Sequence, residues 1–205
     1  MSKLRDPRHR HDVFFKRARD AGFVARSIYK LEEIDKRLRL LRRGQRVLDL
    51  GCRPGSWLQY AVGAVGPQGA VVGIDRDALP HAIPGARVIT GDIFAVTDTE
   101  LLADLRAFDV VLSDMAPDTT GVRATDQARS ASLFEEALGR ALRLLAPAGA
   151  FVGKIFQGPD FEAIRRRMTA RFAEVRVLKP ESSRAQSIEI YLCGKGFLPA
   201  SGSKP

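Results

Sequence analysis

The apolar positions of this chain change period near residue 45. Between Ser27 and Leu41, the residues Ile28, Leu31, Ile34, Leu38 and Leu41 recur at three- and four-residue spacing. That pattern predicts an amphipathic helix with Ser27 as N-cap and Gly44 as its stop. Ahead of it, residues 9–21 predict a shorter basic helix with Val13, Phe14 and Ala18 on one side. From Arg46 the helical period disappears. RVLDL (46–50), AVVGID (70–75), ARVIT (86–90), FDVVLSD (108–114) and GAFVGKIF (149–156) are short, nearly continuous apolar runs. Such runs suit parallel strands covered on both faces. Helical patterns at Ser56–Val65, Thr99–Leu105, Thr125–Leu145 and Pro159–Phe172 lie between them. Alternating strands and helices predict an α/β, doubly wound, mostly parallel sheet. EVRVLK (174–179) and SIEIYLCG (187–194) have no helix between them and predict an antiparallel pair at one side of that sheet. The expected organisation is a helical extension over 1–45 packed on one domain over 46–198, with a loose tail at 199–205.

Composition narrows the class. Of 205 residues, 45% are hydrophobic and 28% charged, the profile of a soluble globular chain with a core of its own. No apolar run approaches the roughly 18 residues of a membrane span. The start MSKLRDPRHRHD carries no apolar stretch of a secretory signal. Cys52 and Cys193 form neither a metal spacing nor a disulfide framework. A cytoplasmic, metal-free, monomeric protein is expected. The charge of +9 is unevenly placed: residues 1–46 hold 15 basic and 6 acidic side chains, and the remainder is balanced. A basic arm beside a neutral body is the footprint of a polyanion binder. Arg5, Arg8, Arg10, Lys16, Arg17, Arg19 and Arg26 are the candidate phosphate contacts, with Arg184 in the loop before the last strand. Arg165, Arg166 and Arg167 read as a solvated helix face.

The first strand runs into LDLGCRPGSW, where Gly51 and Gly55 let the backbone turn sharply and approach a ligand. Asp75 ends the second strand and is placed for ribose hydroxyls; Asp92, after the third, is placed for an adenine edge. The G-x-x-x-G spacing suits S-adenosylmethionine, and a dinucleotide is the competing ligand because a glycine-rich first turn is common to both. Trp57 is either a core residue of the following helix or a wall of the adenosine pocket. Asp114 ends the fourth strand, in SDMAP. That stretch lacks the D/N-P-P-aromatic pattern of amino-group methylation, and neither cysteine is placed to attack a base. The target atom is therefore expected to be oxygen. Lys154 lies inside an apolar strand, where an unpaired ammonium is costly. Glu189 alternates with Ile188 and Ile190, and Lys30 lies on the helix ahead of the core.

RSIYKLEEID, VLDLGCRPGSW, GDI, LSDMAPDTTG, GKIFQG and KPESSRAQSIEIYL occur in order over roughly residues 12–197. In these motifs the chain resembles the FtsJ/RrmJ (RlmE) family of RNA 2′-O-ribose methyltransferases. The resemblance implies a Rossmann-like class I fold whose seven-stranded sheet has one antiparallel strand. It implies a catalytic tetrad of Lys30, Asp114, Lys154 and Glu189, and cofactor contacts at Gly55, Trp57, Asp75, Asp92 and Asp114. It further implies a uridine of the large ribosomal subunit as target. GCRPGSW stands where bacterial members commonly have GAAPGGW, so Arg53 and Ser56 are bulkier than usual. The rival expectations are a nicotinamide oxidoreductase, a non-catalytic RNA-binding assembly factor, and methylation of transfer RNA or a messenger cap.

Overall fold

The computed structural model describes residues 13, 16–183 and 187–199. Seven strands form one sheet: β1 (Arg46–Leu50), β2 (Ala70–Asp75), β3 (Ala86–Thr90), β4 (Phe108–Ser113), β5 (Leu145–Phe156), β6 (Phe172–Leu178) and β7 (Glu189–Phe197). Their order is β3-β2-β1-β4-β5-β7-β6. β7 runs antiparallel to both β5 and β6 and is inserted between them. The remaining neighbours pair in parallel. The expected doubly wound sheet with a C-terminal antiparallel strand is therefore what the chain forms.

The helices are α1 (Ile28–Leu38), α2 (Ser56–Val65), α3 (Asp98–Leu102), α4 (Arg123–Leu144) and α5 (Phe161–Thr169). They cover both faces, which is why the strands read as continuous apolar runs. Along β1, Leu48 and Leu50 enter the core with Phe134, Leu138 and Ile164 of α4 and α5. Val47, of opposite parity, packs with Leu31, Ile34, Trp57 and Leu58 of α1 and α2. β1 is flanked by β2 and β4, so the chain winds outward in opposite directions from it. The resulting switch point opens a crevice at the carboxyl ends of these strands.

Several boundaries differ from the periodicity, each for a visible reason. α1 ends at Leu38, not Leu41, because Arg39 turns left-handed (φ 53°, ψ 55°). The Asp35 carboxylate accepts the Leu40 and Leu41 amides at 2.9 and 2.8 Å, and also the Tyr60 hydroxyl at 2.9 Å. These bonds take the chain out of the helix. Ser27 does not cap α1, since its backbone is itself helical and its hydroxyl is engaged elsewhere. α3 begins one residue early, where Thr97 and Glu100 form a reciprocal capping box. α5 spans only Phe161–Thr169. The basic segment is helical at 16–20, where buried Ala18 packs with Ile28 and Tyr29. Two further bonds clamp α1 to the last strands: Lys195 Nζ donates to the Leu38 carbonyl at 2.5 Å, and the Glu181 amide donates to Glu33 at 2.8 Å.

Asp35 thus ends one helix and holds a tyrosine of another. Asp35→Ala is expected to cost about 1–3 kcal/mol, the loss of a cap together with a partly buried hydroxyl left unpaired. Tyr60→Phe should cost less, because it leaves both amides bonded. Urea unfolding of the two variants checks the order.

Candidate active site

The register of β5 against β7 brings the charged side chains together. Lys154 lies directly across from Tyr191, and Phe156 across from Glu189. Glu189 and Tyr191 are two residues apart, so both project from the face that α1 covers. On the other side of β5, Gly153 pairs with Ser113, which puts the next residue, Asp114, beside Lys154. Lys154 Nζ lies 3.0 Å from Asp114 Oδ1 and donates to the Asp114 carbonyl at 2.6 Å. The Tyr191 hydroxyl donates to the same Oδ1 at 2.6 Å. From α1, Lys30 Nζ meets Glu189 Oε1 at 2.6 Å and stands 5.9 Å from the centre of the Tyr191 ring. The four residues proposed from sequence are thus brought together as two ion pairs linked by Tyr191.

These pairs are largely dehydrated, with the Lys154 side chain only 7% exposed. Burial pushes the Asp114 carboxyl up, but Lys154 and Lys30, with the Tyr191 and Lys154 hydrogen bonds, outweigh it and hold it below its usual range. Its ionised form therefore contributes stability above the ordinary carboxylate range, lost as pH falls through the lowered value. Burial, then the charges of Asp114 and Glu189, drive the Tyr191 phenol well above its ordinary value, so it remains a donor at neutral pH. An ammonium has three hydrogens. Lys154 commits two directions to Asp114, which leaves one for an incoming oxygen.

Asp114 also borders a cleft of about 960 Å³ at the ends of β1 to β4. Gly51, Asp75, Asp92 and Asp114 line it, as sequence placed them. Gly51 has φ 77°, and a Cβ there would fall 2.4 Å from Met115 Cγ, so a side chain would close the junction. The Asp75 carboxylate accepts the Arg53 and Asp77 amides at 2.9 and 3.1 Å. Asp92 Oδ1 accepts the Phe94 amide at 2.9 Å, leaving Oδ2 to face a ligand donor. Gly55 and Trp57 stand behind the cleft. Gly55 (φ 109°) starts α2, with its α-carbon approached by Ile83. Trp57 is 2% exposed, and its indole N–H donates to the Ser27 carbonyl at 2.9 Å.

The lining decides which ligand fits. Carboxylates at three successive strand ends suit ribose hydroxyls, an amino group and a sulfonium cation. Arg53, Arg76 and Arg129 also line the cleft, but the loop amide of Arg53 that would cradle a pyrophosphate is already taken by Asp75. Asp49 lies on the neighbouring face of β1, fully buried, with neither carboxylate oxygen hydrogen-bonded. Burial, then the charges of Asp114 and Asp75, push its carboxyl well above the usual range. Cys52, pushed up chiefly by burial, is an inert thiol.

Among the residues expected to meet phosphate, Lys16, Arg17 and Arg19 lie on the exposed turn at 16–20. The Arg17 guanidinium sits 4.7 Å from the Tyr29 ring centre, and Arg19 pairs with Asp20 at 3.6 Å. Arg26 is half-buried beside α1. Arg5, Arg8, Arg10 and Arg184 lie outside the described residues. Two contributors escaped the sequence reading. Tyr191 was legible only as a strand tyrosine, although its two-residue spacing from Glu189 was a usable signal. Arg140 occupies a position of α4 beside the buried Ala137 and Ala141, where helical periodicity asks for an apolar residue.

Fold and site together define a Rossmann-like class I methyltransferase, whose methyl donor is S-adenosylmethionine. The sequence profile of the FtsJ-like methyltransferase family matches residues 23–197, and the chain belongs to that family. A protein of Sorangium cellulosum named ribosomal RNA large subunit methyltransferase E is 50% identical over 193 residues, 94% of this chain and 91% of its own length. A protein of the same name from Desulfatibacillum aliphaticivorans is 50% identical over 184 residues, 89% of each chain. A crystal structure of a ribosomal RNA methyltransferase from Plasmodium falciparum superposes with a TM-score of 0.76 at 27% identity, covering 86% of this chain and all of its own.

Asp49 gives a pH-dependent test of this electrostatic arrangement. Its folded-state carboxyl titrates above the unfolded one, so the folded state binds more protons and stability falls as pH rises through that window. Asparagine removes that titration while keeping the side chain's size and polarity. Asp49→Asn is expected to melt higher than the parent at pH 7, with the gap closing towards pH of about 4, the ordinary carboxyl range. Thermal melts across that interval check the sign; a gap that does not vary with pH would contradict the upward shift of the Asp49 carboxyl.

Proposed function

We propose that this protein transfers a methyl group from S-adenosylmethionine to the ribose 2′-hydroxyl of a uridine in large-subunit ribosomal RNA, acting on the assembled 50S particle in the cytoplasm. The observation that carries this reading is the Lys154–Asp114 pair. It stands where the cofactor cleft ends and the face bearing Lys30 and Glu189 begins. The names of the relatives and their identity over nearly the whole chain support the substrate class.

S-adenosylmethionine supplies an activated methyl on a sulfonium, a good leaving group. The remaining difficulty is the nucleophile, because a ribose hydroxyl is a weak one at neutral pH. Lys154 would donate its free N–H to that oxygen and turn a lone pair towards the methyl position, with Asp114 fixing the ammonium; as the methyl–oxygen bond replaces the methyl–sulfur bond, the hydroxyl proton would pass to solvent water. This is catalysis by orientation more than by basicity. Lys30 and Glu189 hold the ribose from the α1 side. Within the cleft, Asp75 receives ribose hydroxyls of the cofactor and Asp92 its adenine amino group, with Gly51 leaving room for the backbone to approach. Gly55 and Trp57 support the cofactor loop from behind. Lys16, Arg17, Arg19 and Arg26, together with Arg5, Arg8, Arg10 and Arg184, contact phosphates and supply affinity without reading sequence.

The test is transfer of labelled methyl to unmethylated 50S particles, naked ribosomal RNA and transfer RNA. Label is expected on 50S as 2′-O-methyluridine, reduced about 10²-fold or more by Lys154→Ala, the scale lost when a reacting group is misplaced. Label confined to transfer RNA would move the substrate. Cofactor binding without transfer to any RNA would point to a non-catalytic assembly role.

A further inference from the structure

Arg140 is a buried cation distant from both ion pairs of the active site. It lies on α4 with its side chain 7% exposed. Each nitrogen of its guanidinium has a partner. Nε donates to Glu136 Oε1 at 2.9 Å, Nη1 to Asp98 Oδ1 at 2.7 Å, and Nη2 to the Ile93 carbonyl at 2.7 Å. Arg143 donates to Asp98 from the solvent side at 2.6 Å, so two arginines face two carboxylates and the cluster is neutral.

The third bond ties this cluster to the cofactor cleft. Ile93 lies between Asp92 and Phe94, and all three line the cleft. Asp98, the second partner, begins α3 at the far end of the same connection. The planar guanidinium therefore grips the loop from Asp92 to Asp98 at both ends, and its fork geometry sets their spacing. Within that loop the Phe94 amide orients the Asp92 carboxylate, and the Asp92 carbonyl accepts the Ala95 and Val96 amides at 3.0 and 2.9 Å. Movement of the Ile93 carbonyl would shift the whole turn.

We propose that Arg140 is a positioning residue that sets the cofactor's base specificity: by fixing the loop it aims Asp92 at a purine bearing an exocyclic amino group. This rests on the reading above that Asp92 meets adenine. A carboxylate so aimed accepts from an amino group and repels a 6-oxo group, which presents only an acceptor. Specificity for adenine over hypoxanthine thus reports the placement of Asp92, which general stability does not.

The experiment is calorimetric binding of S-adenosylhomocysteine and S-inosylhomocysteine to the parent, Arg140→Met, Arg140→Lys, Asp92→Ala and Arg140→Met/Asp92→Ala, with melting temperatures alongside. The parent should prefer adenine by about tenfold or more, the scale of one well-made hydrogen bond. Arg140→Met should lose most of that ratio, and Arg140→Lys should keep part of it. The double variant should discriminate no worse than Asp92→Ala, because the two act as a unit. A parent ratio near one would overturn the Asp92 reading and this inference with it. A large parent ratio retained in Arg140→Met, even with a lowered melting temperature, would overturn the inference alone. Should Arg140→Met fail to fold, Arg140→Lys carries the same comparison: a reduced ratio supports the inference and an unchanged one overturns it.

Discussion

A lysine ammonium inside a central strand is the constraint around which this molecule is arranged. Removing an ion from water costs several kcal/mol after relaxation, so Lys154 is tolerable only with a carboxylate at bonding distance. Asp114 meets that need because β4 and β5 are parallel neighbours in a register that sets Ser113 against Gly153. The pair in turn dictates what surrounds it. Asp114 must stay ionised though buried, which Lys30 and the Tyr191 hydroxyl assist. Tyr191 must stay protonated, which the same carboxylate enforces. Lys30 then needs Glu189, and the two ion pairs cancel to zero net charge.

This neutral cluster stands at the boundary of two surface regions that differ in shape and charge. On one side, β1 to β4 end in a cleft lined by Asp75, Asp92 and Asp114, with Arg53, Arg76 and Arg129 also at its wall. On the other, α1 and the helical segment 16–20 ahead of it carry the exposed basic side chains Lys16, Arg17 and Arg19. The separation is a consequence of topology. The switch point between β1 and β4 opens the cleft, and the insertion of β7 between β5 and β6 brings Glu189 and Tyr191 to the opposite flank of Lys154. α1 is held over that flank by Lys195 and Glu33, so Lys30 reaches the site from a helix anchored at two further points.

Much of this was legible along the chain. The strands β1, β2 and β3 begin and end where their apolar runs do; β1 and β2 are buried through most of their length, and β3, though a half-exposed edge strand, keeps the run because it pairs in register with β2. The residues at strand ends, Asp75, Asp92 and Asp114, were legible for a related reason: polar side chains are admitted where an apolar run stops at the rim. Helix ends were less legible. Asp35 stops α1 through amides that follow it, and no periodicity records such a bond. Ser27 has the composition of a cap, yet its hydroxyl lies 2.7 Å from that of Ser56, across 29 residues of sequence.

By itself the sequence determined the succession of strands and helices and the glycine-bearing loop after the first strand, since local spacing and residue type suffice for each, while Lys30, Asp114, Lys154 and Glu189 were singled out as a set only through the family resemblance. Only the tertiary structure decided which charges meet. Tyr191 became a donor to Asp114 because register set it opposite Lys154. Trp57 became a core residue locked to α1 because α2 packs its indole inward. Arg140 came to clamp the loop after β3 because α4 crosses that loop 47 residues away in sequence. The Asp49 carboxyl was pushed up because folding buries it completely and sets it near the charges of Asp114 and Asp75. Each of these depends on distance and dielectric between segments remote in sequence, and those quantities exist only once the chain is folded.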